Sequence, residues 1–103
     1  MSTKITILDG PCSHDLWTVG IHAYDKTDDL KHVHFSVKRP GDGFEVTIRV
    51  RITSVQHEDS SGRSFNIEGF VSDKCHIASL RGKRFTGYYN SGLHRSGIIT
   101  VED

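Results

Sequence analysis

Apolar and polar residues alternate along most of this chain. In 44–53, FEVTIRVRIT, Phe44, Val46, Ile48, Val50 and Ile52 fall on one side, and Glu45, Thr47, Arg49, Arg51 and Thr53 on the other. Successive side chains of an extended chain point to opposite faces, so alternation over that length predicts a half-buried strand. The same period runs through 3–8, with Ile5 and Ile7 inward, and through 31–38, with Val33, Phe35 and Val37 inward. It also runs through 16–24, where Trp17, Val19, Ile21 and Ala23 alternate with Leu16, Thr18, Gly20, His22 and Tyr24. Shorter runs follow at 64–71, 84–90 and 97–102.

Helical signal is confined to single turns at 27–31 and 72–80. In the second, Ile77 and Leu80 are three apart, and Ser72 or Asp73 stands where a cap belongs. Breakers separate the runs: Asp9-Gly10-Pro11, Pro40-Gly41-Asp42-Gly43, Asp59-Ser60-Ser61-Gly62 and Asn90-Ser91-Gly92. The expectation is one all-β domain over residues 1–103: a small antiparallel barrel or sandwich of six to eight strands, with at most one or two short helical turns. Its core should hold Trp17, Val19, Ile21, Val33, Phe35, Val46, Ile48 and Val50.

The pattern also predicts registers. Pairing Val37 with Phe44 across the turn 38–43 sets Phe35 against Val46 and Val33 against Ile48. A slip of one residue would oppose apolar to polar throughout. On the outer face Ser36 then meets Glu45, His34 meets Thr47 and His32 meets Arg49. In the next hairpin Phe65 and Ile67 share the face of Val50 and Ile52, which brings Glu68 opposite Arg49 or Arg51, an attractive cross-strand pair. The outer face becomes a polar surface of His32, His34, Thr47, Arg49, Arg51 and Glu68.

Two histidines one residue apart on a strand, His32 and His34, raise the question of a metal. A third ligand is needed, and His22 has the right parity if 16–24 lies beside 31–38. The guanidinium of Arg49, however, stays charged and repels a cation. The expectation is therefore a solvated face with no bound metal, His22, His32 and His34 being the residues to watch. Cys12-x-His14 and Cys75-His76 lack zinc-finger spacing. Cys75 is expected in the core and Cys12 in a loop, both reduced.

Composition narrows the function. The 103 residues carry 13 Lys plus Arg against 13 Asp plus Glu, so bulk charge would not draw the whole domain to a polyanion or a membrane. No apolar run is long enough for a membrane span, and the N-terminus has no secretory h-region, which predicts a cytoplasmic protein without a membrane partner. No Gly-x-Ser-x-Gly elbow, P-loop or His-Glu-x-x-His is present, so no catalytic residue and no cofactor is assigned. Local charge is less even, because no acid lies between Lys74 and Val101. There Arg81, Lys83, Arg84, Tyr88 and Arg95 form a candidate ligand-binding set. Cations track a phosphate backbone, and an interleaved aromatic stacks a base.

Three readings follow. The first is a non-catalytic protein-interaction or oligomerisation module, which needs an exposed apolar patch or an unpaired edge strand. The second is an anion or nucleic-acid binder, which needs Arg81, Lys83, Arg84 and Arg95 on one surface. The third is a small histidine-based metal-dependent or pocket enzyme, which needs three or more histidines in one cavity.

Overall fold

The computed structural model describes residues 2–21, 32–57, 62–92 and 95–102. Six strands, β1 (Ser2–Asp9), β2 (His32–Lys38), β3 (Glu45–His57), β4 (Ser64–Val71), β5 (Arg84–Asn90) and β6 (Ser96–Glu102), pair in chain order. Every pairing is antiparallel, and β6 returns to β1 with Ile99 opposite Ile5, which closes the sheet into a barrel. The fold class expected from alternation is the one found, with the barrel chosen over the sandwich. The seam between β1 and β2 is the narrowest, with Ile7 opposite Val37 and Asp9 opposite Ser36 across an irregularity, while the other five seams run nearly the length of their strands.

The interior is filled by the alternating positions of each strand. Ile5, Ile7, Val33, Phe35, Val37, Ile48, Val50, Ile52, Phe65, Ile67, Phe85, Tyr89, Ile99 and Val101 are all buried, and Val46 packs against them partly buried. The Phe35 and Tyr89 rings meet edge to face at 5.3 Å between centroids. The Tyr89 hydroxyl donates to the Pro11 carbonyl at 2.9 Å, which ties the exit of β1 to the core.

One element differs from the sequence reading. The run 16–24 does not form a strand; Ser13–Ile21 is a helix, α1, packed against β3. Leu16 and Val19, three residues apart, turn to one side and are buried, while Trp17, expected in the core, is 47% exposed. Over so short a run, periods of two and of 3.6 both accommodate Val19, and tertiary packing decides between them. Asp15 stands in the first turn, where a negative charge favours the helix, and Leu16 N–H closes that turn on the Cys12 carbonyl at 3.2 Å. The Ile21 side chain, His22, Ala23, Tyr24 and the turn expected at 27–31 lie outside the described residues.

Both hairpin registers are corrected, although the inward parity of β2 and the start of β3 holds. Val37 pairs with Val46, Phe35 with Ile48 and Val33 with Val50, two residues beyond the expected register. The turn accounts for it. Arg39 N–H donates to the Phe44 carbonyl at 2.8 Å, so the turn closes one step further along, with Gly41 and Gly43 at positive φ. Phe44 is left outside the core, its ring 5.7 Å beneath the Arg39 guanidinium. In the next hairpin a bulge lies between Ile52 and Ser54, and Glu68 pairs with Ser54, with neither Arg49 nor Arg51.

After β4 the chain folds back over the barrel as the segment 72–83. Ser72 N–H donates to the Arg49 carbonyl at 3.0 Å, Gly82 N–H to Val71 at 2.9 Å, and Val71 N–H to Lys83 at 2.8 Å. Cys75 and Leu80 are buried in the core from this segment. The helical turn expected at 72–80 is a single 3-10 turn, Ala78–Leu80.

Candidate anion-binding site

The outer faces of β2, β3 and β4 carry a row of residues that the registers place side by side. His32 is the partner of Arg51, Arg51 of Phe70, and Phe70 of Arg84 on β5. Strands lie about 4.8 Å apart, so this row spans roughly 14 Å across the barrel. One step along, His34 is the partner of Arg49. Each of the two strand histidines therefore faces an arginine, where the sequence reading gave His32 to Arg49 and His34 to Thr47.

The segment 72–76 turns this face into a cleft. A cavity of about 490 Å³ is lined by His32, Arg49, Arg51, Phe70, Asp73 and Lys74 among others. A second, of about 320 Å³, is lined by His34, Thr47, Arg49, Lys74, Cys75 and His76. Arg49 and Lys74 are common to both. Arg81 holds the segment in place from behind, its Nε donating to the Cys75 carbonyl at 2.6 Å.

The charges here are only partly compensated. The Nε of Arg49 is buried and has no hydrogen-bond partner among the described residues. Neither the Arg49 guanidinium nor the Lys74 ammonium makes an ion pair among those residues. A buried donor left unmatched costs free energy, more so on a charged group. An anion entering the cleft would supply the missing acceptor and the missing charge. Asp73 lines the larger cavity and offsets part of its positive charge, and Glu68, 3.8 Å from Arg84, does the same at the far end of the row.

The candidate set drawn from 81–95 is divided by the fold. Lys83 and Arg84 are next to cleft residues along the backbone, the Lys83 carbonyl accepting from Val71 N–H and Arg84 pairing with Phe70, but neither lines the two cavities. Arg81 is spent on the loop. Tyr88 points outward on β5, 46% exposed, with its hydroxyl on Ser64 Oγ at 3.1 Å. Arg95 sits at the other end of the β5–β6 hairpin, donating to the Gly10 carbonyl at 3.1 Å with Asp9 3.8 Å away. The structure does not bring Arg95 to the other cations.

Arg49, Arg51, Lys74 and Phe70 were not singled out as a site by their sequence. Alternation puts Arg49 and Arg51 on the face of His32 and His34, but the sequence reading sets only Arg49 against a histidine and draws from it only an argument against a metal. Phe70 has the outward parity of Glu68 in its run, an aromatic on the wet face. Lys74 had no local signal, because its place depends on the return of 72–76 over β3.

Among the described residues no group of three His, Cys, Asp or Glu is arranged to hold a metal ion, and Cys12 and Cys75 are both thiols. His22 and His94 lie outside the described residues. No described helix is long and apolar enough to cross a membrane. No protein family, curated protein or solved structure was found to match the chain.

Proposed function

We propose that this barrel is a non-catalytic binding module whose ligand is an anion, held in the cleft between β3 and the segment 72–76. The observation that carries the reading is the buried Nε of Arg49, without a partner among the described residues, in a residue that lines two cavities together with Lys74. Phosphate-bearing ligands suit the site because a guanidinium offers paired donors to tetrahedral oxygens and an ammonium adds a point charge. The two thiols accord with a reducing compartment, and the reading takes the cytoplasm as its setting. Titration with pyrophosphate at low salt, followed by the amide resonances of 47–51 and 72–76, tests it. Localised, saturable shifts are expected in the wild type and their loss in Arg49→Gln. A wild-type spectrum unmoved by any phosphate would end the proposal.

A second reading, as a protein-contact or self-association module, draws on another face. Tyr88 and Ile98 are direct partners across β5 and β6, and both are about half exposed. Paired exposed apolar residues are where a partner protein would bind. Tyr88 and Ile98 lie in the middle of a fully paired β5–β6 seam, so a contact on this face would be made by side chains rather than by strand addition. Sedimentation of the wild type against Ile98→Glu decides it: a dimer dispersed by the substitution supports this face, and a monomer in both removes it.

A further inference from the structure

We infer that the anion taken by this cleft is single-stranded nucleic acid, with one base stacked on Phe70 and its flanking phosphates on the two cationic rows. The inference rests on the cleft being an anion site and adds the class of ligand.

The rows supply the spacing. His32 and Arg51 form one cross-strand pair, and His34 and Arg49 the next pair on the same outer face. They are two residues apart along each strand, roughly 6.7 Å. A diphosphate, whose two phosphorus atoms share one bridging oxygen, is therefore held at the Arg49 row alone and does not span both. The spacing suits neighbouring phosphodiesters, which are separated by a whole sugar. Lys74, common to both cavities, sits where it serves either phosphate.

Phe70 supplies the rest. It is a phenylalanine on the wet face of a barrel strand, 45% exposed, with Arg51 as its partner on one side and Arg84 on the other. A small inorganic anion would have no use for that ring. A base laid on it gains stacking, and the two guanidinium groups beside it reach the backbone on either side of the stacked nucleotide. A duplex hides its base faces within the stack, so the ring favours an unpaired strand. The side chains around the ring are mostly donors to phosphate, which predicts little sequence preference. Asp73 in the cavity lining and Glu68 beside Arg84 are carboxylates that repel phosphate, so the backbone would follow the cations and avoid these two positions.

The test uses the whole chain and a fluorescent oligothymidine of about 10 nucleotides, long enough to cross both cationic rows with nucleotides to spare. Polarisation at about 50 mM salt should give saturable binding that weakens as salt rises. Phe70→Ala should lower affinity by about 5- to 150-fold with the salt slope unchanged, and Phe70→Trp should preserve it. Arg51→Gln should reduce the slope by roughly one counterion. Polyphosphate of equal charge, or a duplex, should compete poorly. If polyphosphate competes as well as the oligonucleotide, or Phe70→Ala binds like the wild type, the nucleic-acid inference is overturned while an Arg49-dependent anion cleft still stands. If no polyanion binds, both readings fall together. Phe70 is outside the core, and circular dichroism of each variant confirms that the barrel is intact.

Discussion

Gly69 of β4 lies against the Arg51 carbonyl of β3 so closely that a Cβ at position 69 would overlap the carbonyl oxygen and carbon. The contact sits beside the β3 bulge, where Ile52 pairs with Gly69 and Ser54 with Glu68. The extra residue bends β3 and tightens its approach to β4, and only a residue without a side chain fits beneath it. Arg51 owes its position next to Phe70 to the same crossing. Gly69→Ala should therefore destabilise the protein by about 3 kcal/mol, since the obstacle is backbone and cannot rotate away. Urea unfolding measures the loss. It should exceed that of Gly92→Ala, where the nearest atom belongs to the Asn90 side chain.

The helix in place of a strand at 16–21 can be checked by a pair of substitutions. Leu16 is fully buried and Trp17 is 47% exposed. A strand with Trp17 inward would reverse that order. Leu16→Ala should cost about 2–5 kcal/mol through lost burial and a cavity, and Trp17→Ala about 1 kcal/mol or less. A larger loss from Trp17→Ala would return the segment to the strand reading.

Strand parity was legible in the sequence wherever burial is one-sided. Val33, Phe35, Ile48 and Val50 are inside because slipping either strand by one residue would turn them all outward. A shift by two leaves that parity intact, so hydrophobic pattern alone could not choose between Phe44 and Val46 as the partner of Val37. The Arg39–Phe44 hydrogen bond chose, and turn geometry of that kind has only a weak trace in the sequence. The β3 bulge was hidden for a similar reason, since one extra residue, Thr53, moves the inward set from Ile52 to Val55 without a break in composition. The site was half legible. Arg49, Arg51, His32 and His34 share a face by alternation, but the segment carrying Lys74 is brought there by contacts distant in sequence, such as Ser72 N–H to the Arg49 carbonyl.

Tyr89 gives the fold an alkaline limit. Burial pushes its phenol above the ordinary tyrosine range, with Arg95 opposing and Asp9 and Cys12 adding to the rise. The folded protein holds the proton longer than the unfolded chain does. The stabilisation is therefore fully present below about pH 10, the ordinary tyrosine value, and is lost progressively above it. Tyr89→Phe removes that limb together with the hydrogen bond to Pro11, worth about 1 kcal/mol at neutral pH. Urea midpoints should favour the wild type at pH 8, and the gap should narrow or reverse near pH 11. A constant gap across that range would mean that Tyr89 ionises in the native state.

The histidine pair should prefer anions to metals, and this can be tested by charge reversal. His32 faces Arg51 and His34 faces Arg49, and Arg49 has no carboxylate partner among the described residues to neutralise it. A zinc ion between these imidazoles would stand next to guanidinium groups that keep their charge at any pH the fold tolerates. The purified protein should thus carry far less than one zinc or iron per chain by elemental analysis, and added zinc should leave its melting temperature unchanged. Arg49→Glu removes the repelling charge and supplies an oxygen ligand opposite His34. That variant should gain a zinc-dependent rise in melting temperature while losing the pyrophosphate shifts of the wild type. One metal per chain in the wild type, released by His34→Ala, would overturn the electrostatic argument and the anion cleft with it.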